Sequence, residues 1–371
     1  MKKKSMRAII AALLCVLLAF VLAACGSGTG GGSSEAPAPA DPAPAPEPAE
    51  EPAAPVETIT WNLGTINTDP AVSDTYNAEG HALALLAEKV KEYTNGQIEI
   101  VVHYGGTLGA NPQLLEQCSM GEIEMFVGMP MSTSDPRFNA FSIPFVWDDL
   151  AQVEKAIAGG NGEIFNLTSK LFEENGMHLT AEGAGAFRGY GNSKKEVLTP
   201  ADVKGVKTRV YESELVRAFW DGLTQTQMMS AMDIYTGMET GAVDGFENAN
   251  TVMMVLKYYE VIQYFTDLNW QWANSAVYVV SDKAWNALTP ELQEAVTKAA
   301  WEAAALESKE QAADQAKADT ELEEKGITVT IPTDEQRQAW VDYSDGLIET
   351  YKTIVGADFY EEYMAAVAAG Q

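Results

Sequence analysis

Ile59-Thr60-Trp61-Asn62-Leu63-Gly64 reads as a β-strand, and Ala78 to Tyr93, closed by Asn95-Gly96, has the spacing of an amphipathic helix. Gln97 to Val102 is the next strand, and Asn111-Pro112 opens a second helix with a capping Asn and a proline at its first position. This βαβ rhythm marks an α/β protein and predicts a mostly parallel sheet. Working outward, the phrase helix, glycine, strand occurs at Gly121-Glu122-Ile123-Glu124 and again, 120 residues on, at Gly241-Ala242-Val243-Asp244. Two such phrases suit a body of two lobes. Thr289-Pro290-Glu291 caps a helix that meets no Gly or Pro until Gly326. A helix from Pro290 to about Lys325 is on the order of 50 Å long at 1.5 Å per residue, so it should run across both lobes. Asp334 to Ala369 reads as further helices.

A chain of 371 residues is long for one core and suits two domains. Its 53 acidic against 24 basic side chains leave a formal charge of -29, which repels nucleic acid. A partner of that kind is excluded. Lys2-Lys3-Lys4 and Arg7 precede an apolar run from Ala8 to Ala24, the pattern of an export signal. Leu22-Ala23-Ala24-Cys25 resembles the lipobox of bacterial lipoproteins, which implies cleavage before Cys25, lipidation of its sulfur and attachment of the exported chain to the outer side of the cell membrane. Loss of Lys2, Lys3, Lys4 and Arg7 then takes the charge to about -33. Cys118 remains as the one free thiol, so no disulfide framework forms within a mature chain, and its helical setting makes it a small buried apolar residue. Residues 25–56 form a lipidated cysteine followed by a Gly/Ser and Ala-Pro-Glu linker that cannot bury enough apolar area to fold.

No phosphate-cradling loop, dinucleotide fingerprint, paired cysteines or His-Glu-x-x-His helix occurs, so no cofactor and no metal site is expected. His103 reads as a hydrogen-bonded structural imidazole. Glu122 and Glu124 share a strand face in this reading and, without a cleft around them, do not make a glycosidase pair.

Arginine is the informative residue. Five remain beyond the leader, and Arg188, Arg209 and Arg217 fall within thirty positions of a strongly acidic chain. A placed guanidinium is a planar fork suited to two-point recognition of an oxyanion. Thr199 to Tyr211 reads as a capped turn feeding a strand, with Val206, Thr208 and Val210 on one face and Lys207, Arg209 and Tyr211 on the other.

Gly205-Val206-Lys207-Thr208-Arg209-Val210, the run from Asp233 to Asn248 and Tyr258-Tyr259-Glu260-Val261 resemble the signature of DctP-type TRAP solute-binding proteins. Gly106-Thr107-Leu108-Gly109, Gly121 to Met125, Ile143-Pro144-Phe145 and Trp285-Asn286-Ala287-Leu288 follow in the same order, so the resemblance covers about residues 58–325. It implies a two-lobed, periplasmic-binding-protein-like type II fold crossed by a long helix. One lobe is expected from 57–185 with about 274–313, and the other from 186–273 with about 314–371. The implied function is a receptor, not an enzyme, that closes on a small organic acid and delivers it to the membrane subunits of an ion-gradient-driven TRAP transporter. A receptor of this fold that signals through a sensor protein, or an exported lipoprotein hydrolase, are the alternatives.

The resemblance assigns carboxylate binding to Arg209, with Arg188 assisting and Asn248 reaching the same group. Where the family commonly has Pro after Arg-Val, this chain has Tyr211, and Phe246 and Ala249 replace the usual flanks of the Glu-Asn pair. Phe246 and Trp220, with Trp270 and Trp272 close in sequence, are candidates to line a pocket for an apolar or aromatic acid. Met129 and Asn111 are candidates for the opposite wall.

Overall fold

A computed structural model of the chain describes residues 58–371. The expectations for 1–24, Cys25 and the 26–56 linker fall outside the described residues. The chain opens with β1 (Ile59–Gly64), α1 (Ala78–Tyr93), β2 (Ile98–His103), α2 (Asn111–Ser119) and β3 (Met125–Gly128), followed by α3 (Leu150–Ile157), α4 (Glu163–Glu174), β4 (Met177–Glu182) and β5 (Ala186–Asn192). Then come β6 (Thr208–Val210), α5 (Glu214–Asp221), β7 (Thr226–Met228), α6 (Ile234–Glu239), β8 (Gly245–Asn248), α7 (Asn250–Val255), β9 (Tyr264–Ala273) and β10 (Val277–Ser281). The chain ends with α8 (Asp282–Trp285), α9 (Pro290–Glu324), β11 (Thr328–Thr330), α10 (Asp334–Asp345), α11 (Ile348–Val355) and α12 (Ala357–Gly370).

The fold is α/β with two sheets, ordered β2-β1-β3-β10-β4 and β11-β9-β5-β8-β6-β7. Both are mixed, not mostly parallel as the opening rhythm predicts. β1 runs parallel to β2 and β3, but β10 returns from the second sheet and enters the first antiparallel to β3 and β4. β5 likewise pairs antiparallel with β8 and β9. A strand that arrives from the other sheet is not bound by the crossover geometry of a βαβ unit, so its direction escapes that rule.

Local chemistry sets the element ends. Asn77 caps α1 by accepting from Gly80 N at 3.2 Å, and its amide donates to Thr68 O and Ser73 O, tying the loop after β1 to the helix start. Thr199 and Asp202 form a reciprocal capping box ahead of β6. α2 departs from expectation, since its cap is Ala110 and Asn111 is already helical. Glu122 and Glu124 also sit ahead of β3 rather than on it, and Glu124 accepts from Asn62 N at 2.7 Å. His103 bonds Asn62 Oδ1 at 3.0 Å.

The 35-residue helix α9 packs its buried side chains into two hydrophobic cores, one against each sheet. Its Val296, Ala299, Ala300, Ala303 and Ala304 pack with Leu83 and Leu86 of α1 and with Trp61 and Leu63 of the first sheet. Ala318 and Leu322 pack farther along with Phe246 and Phe265 of the second sheet. Small side chains on the inner face let the helix lie close to the sheet while still removing apolar area from water.

The chain passes between the sheets at two adjacent short crossings, β4 to β5 through Gly183-Ala184-Gly185 and β9 to β10 through Asn274-Ser275-Ala276, and a third time from β10 to β11 through α9. Gly183 N donates to Ala276 O at 2.9 Å, and a Cβ at Gly185 would stand 2.2 Å from Ala273 O. Gly185 also has φ +60°, so glycine is required there twice over. Asn274 Nδ2 donates to Glu182 Oε1 at 2.6 Å across the crossings.

Burial pushes the Glu182 carboxyl up to about 8, against the hydrogen bonds of Asn274 and Thr168. The native state therefore holds a proton that the unfolded chain releases at lower pH, and stability falls as pH rises from the ordinary carboxylate range through about 8. Glu307, pushed to about 8 by burial and by Glu79, acts in the same direction. Urea unfolding should show lower stability at about pH 9 than at about pH 5, and Glu182→Gln should remove part of that fall. An unchanged pH slope in the variant would contradict this assignment.

Candidate functional site

A cavity of about 160 Å³ opens where the two sheets meet. The first sheet brings Ile66, Asn67 and Thr68 after β1, Ala110, Asn111 and Pro112 at the start of α2, and Met129 after β3. The second sheet brings Arg188, Arg209, Tyr211 and Asn248. Ala273 at the end of β9, Ser275 of the crossing and Gln311 of α9 also line it, as does Glu79 of α1. The two helix-glycine-strand phrases thus place Gly128-Met129 and Asn248-Ala249 on the same cavity. Gly121 and Gly241, at φ +68° and +70°, make the tight turns from which these strands start.

The polar centre follows from strand order. β8 lies between β5 and β6, so Glu247 on the middle strand reaches an arginine on each side. Arg188 Nε donates to Glu247 Oε2, and its Nη2 donates to the Glu247 carbonyl at 3.0 Å. Arg209 Nη1 donates to Glu247 Oε1 at 3.2 Å, and its Nε donates to Met229 O at 2.8 Å. Glu247 is fully buried, and Arg188 and Arg209 are 5% and 1% exposed. Two guanidinium charges thus share one carboxylate, leaving an excess of one positive unit within this three-residue cluster. Burial lowers the Arg209 pKa from its ordinary value, with Glu247 opposing and Arg188 adding to the shift. An arginine stays charged even so, and an anion entering the cavity relieves the unfavourable state.

Tyr211 explains the departure from proline after Arg-Val. Its hydroxyl meets Ser142 Oγ at 2.6 Å and Gln271 Nε2 at 2.8 Å, and the Arg188 guanidinium lies over its ring, 5.0 Å from the centroid. The ring holds Arg188 by a cation–π contact in a desolvated setting. Asn248 is buried on the cavity, its Oδ1 accepting from Ala249 N at 3.0 Å.

Of the residues expected to bind ligand, the structure brings Arg209, Arg188, Asn248, Met129 and Asn111 to one cavity. Phe246 and Trp220 do not join them. Phe246 is fully buried against Tyr258, edge to face at 5.0 Å, and Trp220 stacks on Tyr190 at 4.9 Å and meets Trp270 edge-on at 5.4 Å. Their rings supply apolar area to the cores under the second sheet instead of to a ligand. Arg217, the third of the clustered arginines, is a surface ion pair with Asp221 at 3.1 Å. Glu247, Tyr211, Asn67, Glu79 and Gln311 were not anticipated by sequence reasoning. Glu247 had a signal, since it stands directly before Asn248 in a strand flanked by the two arginine strands.

The family model DctP, bacterial extracellular solute-binding protein family 7, matches residues 71–353. A C4-dicarboxylate-binding periplasmic protein of Vibrio cholerae is 27% identical over 331 residues, covering 86% of this chain and 97% of that one. A 2,3-diketo-L-gulonate-binding periplasmic protein of Escherichia coli is 30% identical over 261 residues, 68% of this chain and 76% of that one. The crystal structure of a TRAP periplasmic solute-binding protein of Ralstonia eutropha, with bound (S)-2-acetolactate, superposes with a TM-score of 0.75 at 27% identity, covering 83% and 98% of the two chains.

Removing the shared carboxylate leaves two buried like charges with no counter-ion. Glu247→Ala should therefore lower unfolding stability by about 3–5 kcal/mol, read by denaturant titration without ligand. A loss below about 1 kcal/mol would show that Glu247 is not the counter-ion on which both guanidiniums depend.

Proposed function

Because this chain belongs to bacterial extracellular solute-binding protein family 7 (DctP), a family of extracytoplasmic receptors, we propose that its cavity takes up the carboxylate of a small organic acid for a TRAP transporter. The single observation that carries this reading is the excess positive unit of Arg188 and Arg209 over Glu247 on the wall of the cavity between the sheets. Arg209 keeps the rest of its donor fork free of protein partners among the described residues, and that fork matches two carboxylate oxygens. Arg188 and Asn248 assist. The relatives named above bind a C4-dicarboxylate, 2,3-diketo-L-gulonate and acetolactate, all of them organic acids.

The two lobes are taken as 57–185 with about 274–313 and 186–273 with about 314–371, moving about the paired crossings and α9. This division is supported by the sheet membership of the strands, since every strand of the first sheet falls inside one set of bounds and every strand of the second sheet, β11 included, inside the other. Closure around the guest excludes water and strengthens the ion pair. The receptor performs no chemistry on its guest. Its lipidated Cys25 tethers it to the membrane, and the linker lets the closed form reach the transporter's membrane subunits.

Arg209→Lys keeps the charge but loses the fork. It should weaken binding of the cognate acid by roughly 30-fold to several-thousand-fold with an unchanged circular dichroism spectrum. Near-wild-type affinity by calorimetry would refute the role of Arg209.

A further inference from the structure

Resting on the reading that Arg209 holds a carboxylate, we propose that Glu79 determines specificity at the far wall, selecting a polyhydroxylated monocarboxylate and barring a dicarboxylate. The charges around the cavity carry the argument. Arg188 and Arg209 are the only cations among its lining residues, and Glu247 takes up one of their two charges. Glu79 and Glu212 also line it, so nothing there can neutralise a second carboxylate.

Glu79 stands in the first turn of α1, on the first-sheet side, with no ion-pair partner among the described residues. Behind it Glu307 of α9 is buried and receives the Tyr278 hydroxyl at 2.6 Å. Burial and nearby Asp314 raise the Glu79 pKa from the ordinary carboxylate value, because a further negative charge is unfavourable at this wall. A guest's second carboxylate would add to that load.

The remaining polar groups favour hydroxyls over an apolar tail. Asn67 Nδ2, a donor, and Asn111 Oδ1, an acceptor, are buried on the cavity with no protein partner. An apolar guest would leave both unsatisfied, at a cost comparable to a lost hydrogen bond each. A hydroxyl both donates and accepts, so one can accept from Asn67 Nδ2 while donating to Glu79, and another can donate to Asn111 Oδ1. Met129, Val252 and Leu256 offer apolar contact to the C–H faces of such a chain.

Calorimetry of the full chain with D-gluconate, succinate and butanoate tests the proposal. The wild type should bind gluconate at least about tenfold tighter than either of the others. Glu79→Gln should narrow the gluconate-to-succinate ratio by about tenfold, and Asn67→Ala should weaken gluconate while leaving butanoate unchanged. Succinate or butanoate binding as tightly as gluconate, or a ratio unmoved in Glu79→Gln, overturns the assignment of Glu79 while leaving Arg209 in place if Arg209→Lys still abolishes binding. Binding that survives Arg209→Lys, or no binding of any of the three acids, overturns both.

Discussion

One buried carboxylate shared between two guanidiniums is the constraint around which this molecule is arranged. Placed side by side without Glu247, Arg188 and Arg209 would repel each other in a setting where water cannot screen them. With Glu247 between them they hold position and still present one unit of positive charge to the cavity. An acidic chain thereby carries a local cluster of positive charge. At physiological salt, charges beyond about 8 Å are largely screened, so the formal -29 of the whole chain does not cancel an arginine pair at contact distance.

The strand order makes that arrangement possible. Adjacent strands lie roughly 4.8 Å apart, so side chains from β5 and β6 can converge on a glutamate of β8 without leaving the sheet. Tyr211 and the Met229 carbonyl then fix the two guanidinium planes from other directions. The first sheet supplies a different wall, of amides, methionine and one acid. The cavity is therefore asymmetric, positive on one side and acidic and amide-bearing on the other, and an asymmetric guest matches it.

Much of this was legible in the residues. β1, α1 and the start of α9 follow from periodicity and caps that act within a few residues, and such signals survive folding. Arg209, Arg188 and Asn248, to which scarce arginines in an acidic chain and a family signature both point, all reach the cavity. Sheet direction was not legible, since it depends on β10 and β9 crossing between sheets, a long-range event with no local mark. Phe246 and Trp220 were misplaced for a related reason: an aromatic beside a binding residue in sequence can point into the core, and only packing decides which. Asn111 reached the cavity although the capping role read for it belongs to Ala110. Glu79 could not be found at all, because a helix-start acid looks like ordinary dipole compensation until the opposite wall is known.

The most direct test of the central claim is a crystal structure of the full chain with the acid it binds most tightly. The account predicts both oxygens of one guest carboxylate within about 3 Å of Arg209 nitrogens, with Glu247 still joining Arg209 to Arg188. A guest whose carboxylate lies away from Arg209, or an uncharged guest held on the far wall alone, would contradict it.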